Sequence, residues 1–440
     1  MRKFSDSAQQ RLGMASAKRI FLINQYFYPD MAATSQLLGD LAQWLGSNGW
    51  EVVAIAGRGS YANAGKVNGS GTERICGNVV VQRVWCTNFG RGHLLARLCD
   101  YATFLISAGA AVAFSSSPDV VLCLSTPPFV GALGLIAQAK GSRLVYKVED
   151  LYPDVAIALS TLDQKSLSAR FFSWLSGFLL KKADWIVTLD NAMAERVRHQ
   201  TAATRSLETI PNWADGDAIW PNPDAGRIFR KRQKLEGRFV VLYSGNLGLP
   251  HRFDAVVEAA RRCATEFPEV LFLFVGNGAR LNEVRETTKD IANVRFLDYQ
   301  PREELSELYN AADVHLVTLR NEVAGMLFPS KYAAALAAGK PVLLVGGQGA
   351  PFEREIQERL LGWTCPHDPS AVLAAIQDAL KNPDKREAMG RNARQVFDAC
   401  YSKMIAMQRW EQVLNSVLRG KTIGAHVQVN AGEPAGLPQQ

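Results

Sequence analysis

Short apolar runs alternate with longer segments of helical period, and they do so in two successive series. This pattern limits the fold more than any other feature of the sequence. The first series reads RIFLINQ, a helix from about 35 to 48, EVVAIAG, VVVQRVW, a long helix near 94 to 114, DVVLCLS, LVYKVE and WIVTLD. Buried strands joined by helical crossovers predict a parallel, doubly wound α/β sheet. A break follows at 211 to 224, PNWADGDAIWPNPD, rich in proline and glycine around two tryptophans. A second series then opens with RFVVLYSGN and continues through VLFLFVGNG, VRFLD, VHLVTL, PVLLVGG and GWTC, with helices between. The expected layout is a Rossmann-like domain over 18–210, a linker at 211–224, a second over 225–385, and C-terminal helices at 386–418 packing back toward the first domain. The arms 1–17 and 421–440 read as disordered, and the Gly-, Asn- and Ser-rich connection 58–78 as a mobile loop.

A chain of 440 residues with 48% hydrophobic content can bury two full cores. Its net charge of +7 is spread out, with tight basic clusters at Lys181-Lys182 and Arg230 to Lys234. No RNP, zinc-finger or basic-zipper pattern accompanies them, so an anionic substrate or membrane surface is the expected partner and nucleic acid is not. The seven cysteines form no CxxC pair, which fits reduced thiols and a cytoplasmic location better than a disulfide framework. The run Phe104 to Phe114 falls short of the roughly 20 residues that span a bilayer. RFFSWLSGFLLKKADW, 170 to 185, is aromatic over much of a helix and ends in two lysines. It reads either as a core helix or as one lying in a membrane interface, which would place the chain on the inner face of the plasma membrane.

Open α/β sheets bind ligands beyond the carboxyl ends of their strands. In the second series the loops there are YSGNLG (Ser244, Gly245, Asn246), VGNGAR (Gly276, Asn277, Gly278), DYQPREEL (Tyr299) and EVAGMLFPSK (Glu322, Pro329, Ser330, Lys331). The last runs into a nearly charge-free helix, stopped by Gly339, and then the strand opened by Pro341. Ser330 and Lys331 therefore stand at a helix N-terminus. Either Lys331 stretches into solvent beside a serine cap, or it shares a phosphate with the free N–H groups there.

YSGNLG, PNWADGD, FVGNGARL, FLDYQPREELSELYNAADVHLV and PSKYAAALAAGKPV, in that order and spacing, resemble the C-terminal half of GT-B glycosyltransferases of family 4, especially the WcaI/WbuB-like branch. NQYFYPDMAATSQLLGDLAQWLGSNGWEVVAIAG and LVYKVEDLYPDVAIAL are similar to the same branch in the N-terminal half. The resemblance spans about 18 to 400 and implies two Rossmann-like domains facing a cleft. It implies retaining transfer from a nucleoside diphosphate sugar held by the second domain, to an acceptor on the first that in this branch is a lipid-linked saccharide of exopolysaccharide or O-antigen assembly. It also implies no bound metal, and the Asp215-Gly216-Asp217 triplet reads as linker turn chemistry, not as a metal-binding pair.

Two departures stand out. The family's paired glutamates fall on Met326 and Ala334, and where many members carry Arg and Lys after the first strand of the second domain this chain has Asn246, then His251 and Arg252. The branch shares the SGN and PSK patterns, so the expectation is a relocated phosphate site with Lys331 catalytic, while Glu322 reads either as a substitute carboxylate or as a solvent-facing loop residue. In the first domain Glu149 and Asp150 stand where the family often has His-Asp. Asp150 reads as an acceptor-hydroxyl ligand or base, or as the N-cap of the next helix. Rival readings are a catalytically silent glycosyltransferase-like partner and a UDP-GlcNAc 2-epimerase-like enzyme.

Overall fold

The computed structural model describes residues 18–30, 32–59, 69, 71–90, 94–201 and 206–420. The arms 1–17 and 421–440 and part of the 58–78 connection lie outside the described residues. In the first domain the strands are β1 (Arg19–Ile23), β2 (Glu51–Gly57), β3 (Gly71–Cys76), β4 (Val79–Val84), β5 (Val120–Leu124), β6 (Arg143–Lys147), β7 (Trp185–Thr188) and β8 (Ser206–Thr209). They form one sheet in the order β3-β4-β2-β1-β5-β6-β7-β8. Every pairing is parallel except β3 with β4. Strand β3 corrects the reading of 58–78 as loop throughout. It is an exposed edge strand with no alternating apolar face to betray it, held by its ladder to β4 and the Arg83–Glu73 ion pair at 2.9 Å.

The second sheet runs β11 (Val294–Leu297), β10 (Val270–Val275), β9 (Phe239–Ser244), β12 (Val314–Leu319), β13 (Val342–Gly346), β14 (Gly362–Cys365), all parallel. β9, β10, β12 and β13 are buried from end to end but for Ser244, which is why their sequences read as unbroken apolar runs. Both sheets reverse strand order once, between β1 and β5 and between β9 and β12. Those two crevices are where open sheets take ligands.

The domains are tied at three places. Asp150, beyond β6, forms a backbone bridge with Leu327, beyond β12, and Leu151 N–H donates to Met326 O at 2.9 Å. One apolar cluster crosses the junction, joining Leu151, Leu189 and Met193 to Val323, Leu327, Phe328 and Tyr332. The helix Pro383–Val396 rests on the second domain, and the chain then returns through a π-helical turn, Phe397–Tyr401. The final helix, Lys403–Leu418, buries Met407, Trp410 and Leu414 in the first domain's second core against β1, β2 and β5.

The long helix Leu94–Phe114 also revises the sequence reading. Over Leu95–Phe114 it is long and apolar enough to cross a membrane, because it starts well before the unbroken apolar run and tolerates Arg97 and Asp100. Here it is part of the layer beside the sheet. Phe104, Ala108 and Val112 enter the core, and buried Asp100 accepts from Thr87 Oγ1 at 2.7 Å and Phe89 N at 3.0 Å.

Candidate functional site

Lys331 is the first residue of the helix Lys331–Ala337, as the sequence suggests, but it does not stretch into solvent. Its Nζ lies 4.5 Å from the centroid of the Tyr243 ring and 3.3 Å from His251 Nε2. Burial pulls the ammonium down to about 7, and among the described residues no carboxylate comes within ion-pair distance of it. An enclosed cation without a counter-ion is costly unless a ligand supplies one. Ser330 is exposed, has helical backbone angles and caps nothing with its side chain, so the serine-cap reading is set aside. Pro329 is buried beneath it.

The floor of the site is two loops packed backbone to backbone. Gly245 N–H donates to Val275 O at 2.9 Å, and Leu247 N–H to Asn277 O at 2.8 Å. A Cβ on Gly276 would fall 2.2 Å from Gly245 O, and one on Gly278 2.4 Å from Leu247 O. Both have positive φ, +132° and +154°. These glycines let the loops touch each other, so their presence alone says nothing about a ligand. At Gly245 the open side faces Lys331, whose Cε would lie 3.4 Å from an added Cβ.

Ser244 hydrogen-bonds Tyr309, and exposed Asn246 sits between Gly248 and Gly278 with its carbonyl held by Tyr243 OH at 2.8 Å. Asn277 accepts from Gly278 N at 2.7 Å, and the half-exposed Tyr299 ring covers Gly276. Glu322 lies exposed on the turn Asn321–Val323, on the His367 side of the edge. Of the predicted donor-side residues, then, the structure groups Gly245, Gly276 and Tyr299 around the floor under Lys331.

The residues in the place of the family's Arg and Lys are turned elsewhere. Arg252 is forked onto Asp254 at 2.7 and 2.8 Å, and His251 points inward. Sequence reasoning missed Arg320, at the carboxyl end of β12. Its N–H is tied to Pro250 O at 2.8 Å, its Nε is enclosed without an acceptor, and it forms no ion pair among the described residues. Its position directly after a strand at the reversal point was the available signal. Met326 and Ala334, where the family's glutamates would fall, are packed into the interdomain cluster.

Across the junction Asp150 stands at the end of β6. Burial, with the Glu149 charge beside it, raises its carboxyl to about 7. Its N–H donates to Ser125 Oγ at 3.2 Å, and that hydroxyl donates to its carbonyl at 3.1 Å. It does not cap the following helix, which begins four residues later at Asp154. Thr126 Oγ1 and buried Gln25 Oε1, at the adjoining ends of β5 and β1, have no partner among the described residues and went unnoticed in the sequence. Glu149 departs from its expected acceptor-side role. One oxygen takes the Lys147 ammonium, the other accepts from Asn212 Nδ2 at 2.8 Å, and Lys147 also donates to Asn212 Oδ1 at 2.6 Å. The triad locks β6 to the linker.

Asp215 serves the linker too. Its Oδ1 accepts from Asp217 N and Ala218 N at 3.0 and 3.1 Å, and Oδ2 faces Lys403 and Arg302 at 3.7 and 3.5 Å.

Two parallel sheets, joined where the segment beyond β6 pairs with the segment beyond β12, define the double-Rossmann architecture of sugar-transferring enzymes. Residues 34–213 match the glycosyl transferase 4-like domain, and 224–396 the glycosyl transferases group 1 family. The chain belongs to the GT-B glycosyltransferases of family 4. It is 28% identical to the probable glycosyltransferase WbjE of Pseudomonas aeruginosa over 68% of this chain and 75% of that one. To the putative colanic acid biosynthesis glycosyl transferase WcaI of Escherichia coli it is 23% identical over 86% of this chain and 96% of the other. Among solved structures it resembles Anabaena HepE, crystallised with UDP and glucose, with a TM-score of 0.67 and 15% identity over 91% of this chain and all of that one.

Proposed function

We propose that the chain transfers a sugar, with retention, from a nucleoside diphosphate sugar to a lipid-linked saccharide during assembly of a bacterial surface polysaccharide. The observation that carries the reading is Lys331, a partly buried ammonium with no carboxylate in ion-pair distance among the described residues, facing the open side of Gly245 in the loop floor. The donor diphosphate lies against it, with Arg320 as a second cation and no metal in the reaction. As the anomeric C–O bond breaks, negative charge gathers on the departing phosphate oxygen, and an already placed ammonium stabilises it. The acceptor hydroxyl oxygen forms the new bond at the anomeric carbon. Asp150 holds that hydroxyl from the first domain, and its proton leaves with the diphosphate or passes to Asp150. WcaI's part in colanic acid biosynthesis and the UDP and glucose bound by HepE support this choice of substrates. The test is a panel of UDP-, GDP- and dTDP-sugars, read first by thermal shift and then by transfer to a polyprenyl diphosphate saccharide. If no nucleotide raises the unfolding temperature and none is turned over, the reading fails in favour of a silent partner.

The acceptor would be met at a membrane face on the cytoplasmic side. In the helix Leu167–Lys182 only Ala169, Leu179 and Leu180 are buried. Leu167, Phe171, Trp174 and Phe178 are exposed, with Trp174 and Phe178 stacked at 5.7 Å and Lys181 and Lys182 closing the helix. Leu95, Leu98, Ile106 and Phe114 of the helix Leu94–Phe114 add a second exposed apolar row on the same side of the sheet. Trp174→Ser with Lys181→Glu and Lys182→Glu should release the protein from phosphatidylglycerol-containing vesicles. Losing two lysines alone removes about 2 kcal/mol of attraction. A wild-type protein that never sediments with such vesicles refutes the membrane face.

A further inference from the structure

We infer that His251 is a positioning residue, which aims the Lys331 ammonium at the donor diphosphate without cancelling its charge. The inference rests on the donor reading above and adds to it the means by which a solitary, partly buried lysine is held in place.

The geometry settles the protonation of the ring. His251 is 8% exposed, and its Nδ1 lies 2.6 Å from Thr318 O. A carbonyl can only accept, so the proton sits on Nδ1. Burial, Lys331 and Arg280 together hold the imidazole well below its ordinary pKa, so no second proton is present. Nε2 therefore presents a lone pair, and Lys331 Nζ donates to it across 3.3 Å. The ring cannot turn away. Tyr243 meets it edge-on at 5.7 Å and Phe253 flanks it at 6.2 Å. Its backbone is pinned at both ends, N–H to Gly248 O at 3.1 Å and the carbonyl to Arg280 Nη1 at 2.7 Å.

The choice of a neutral acceptor follows from the task. A carboxylate at this position would hold the ammonium more tightly, but it would neutralise the charge and repel the diphosphate. A neutral imidazole occupies one of the three N–H donors and leaves two for the ligand. The Tyr243 face steadies the cation from below in the same neutral way. Of the other charged groups nearby, Arg280 is paired with Glu283 and Arg252 with Asp254, while Arg320 forms no ion pair among the described residues. No other acceptor side chain is bonded to Lys331 among the described residues.

Two substitutions separate aiming from mere packing. His251→Asn places an amide N–H where Nδ1 donates to Thr318, with nothing at the Nε2 position. His251→Gln places a carbonyl oxygen near the Nε2 position and gives up the Thr318 bond. Two quantities are read in the full-length protein: affinity for UDP and GDP, and the Lys331 titration from its 13Cε signal. His251→Gln should bind the nucleotide within about threefold of wild type, and His251→Asn about tenfold more weakly, the loss expected for one hydrogen bond. The Lys331 pKa should fall in His251→Asn and hold in His251→Gln. If the histidine only anchors its loop to Thr318, the order reverses and Asn is the better replacement, which overturns the inference. If wild type binds neither nucleotide, the donor reading fails. The Lys331 titration still decides the aiming role, because one identical titration in all three proteins would eliminate it.

Discussion

Lys331→Met should lower turnover by about two orders of magnitude or more while making the unliganded protein more stable, a combination that few other positions in the chain would give. The first half follows from removing an ammonium that faces the proposed leaving group and has no carboxylate partner among the described residues, an interaction comparable to losing one oxyanion donor. Its effect should fall mainly on kcat, because charge on the diphosphate is greatest as the bond breaks. The second half follows from the direction of the shift. Burial lowers the folded-state pKa to about 7 from an ordinary 10.5, so between those values the unfolded chain holds one more proton than the folded one. Wild-type stability contributed by this group therefore rises with pH across that window, and the penalty is greatest below pH 7. The Met variant should lack that dependence, so its advantage in unfolding temperature is largest near about pH 6.5 and fades toward pH 10. Thermal unfolding at both ends of the range, beside a transfer assay, checks the pair. A variant that loses stability in step with activity would reduce Lys331 to a structural residue.

The sequence made the architecture legible because buried parallel strands leave unbroken apolar runs, as in Val270–Val275 and Val314–Leu319. It could not show β3, whose exposed residues carry no apolar alternation and whose existence depends on the ladder to β4. At the site it pointed to Lys331 and to the glycine loops, since helix stops and tight turns are local signals. What it could not show was direction. Lys331 reads identically whether it reaches into water or folds back over Tyr243, and only the position of β9 beside β12 decides between them. Glu149 and Asp150 are neighbours with the same chemistry, yet the bend beyond β6 sends one carboxylate into a buried triad and leaves the other at the domain junction. Contacts between residues such as Lys147 and Asn212, far apart in the chain, have no trace in a local pattern.

The substitution of the family's glutamate positions by Met326 and Ala334 takes on a physical sense in that light. Met326 contributes its carbonyl to Leu151 N–H and its side chain to the interdomain cluster, and Ala334 lies in the same cluster. Carboxylates at either place would face an apolar junction and would need partners that the described residues do not offer. The segment on which the family's paired glutamates would fall is used here in part to dock the domains.

The docking itself sets up the second large effect, at Glu149. Glu149→Ala should destabilise the protein by about 3–5 kcal/mol, the cost of leaving one member of a buried ion pair without the other. Lys147 and Glu149 side chains are 3% and 6% exposed, and after the substitution the Lys147 ammonium would keep Asn212 Oδ1 as its hydrogen-bond acceptor but no carboxylate among the described residues. Asn212 Nδ2 would lose its acceptor as well. Replacing both ends of the pair, Lys147→Met with Glu149→Leu, should recover most of the loss, since two apolar side chains leave no buried charge behind. Tryptophan fluorescence, to which Trp213 with its ring 5.7 Å from Lys147 Nζ contributes, follows the urea unfolding of the wild type, Glu149→Ala and the double variant. The comparison also decides the role of Glu149 in transfer. A Glu149→Ala protein that unfolds at the wild-type midpoint but no longer transfers sugar would return this carboxylate to the acceptor site. A protein that loses stability, and regains both stability and activity in the double variant, fixes Glu149 as the tie between β6 and the linker and leaves Asp150 as the first domain's carboxylate toward the acceptor.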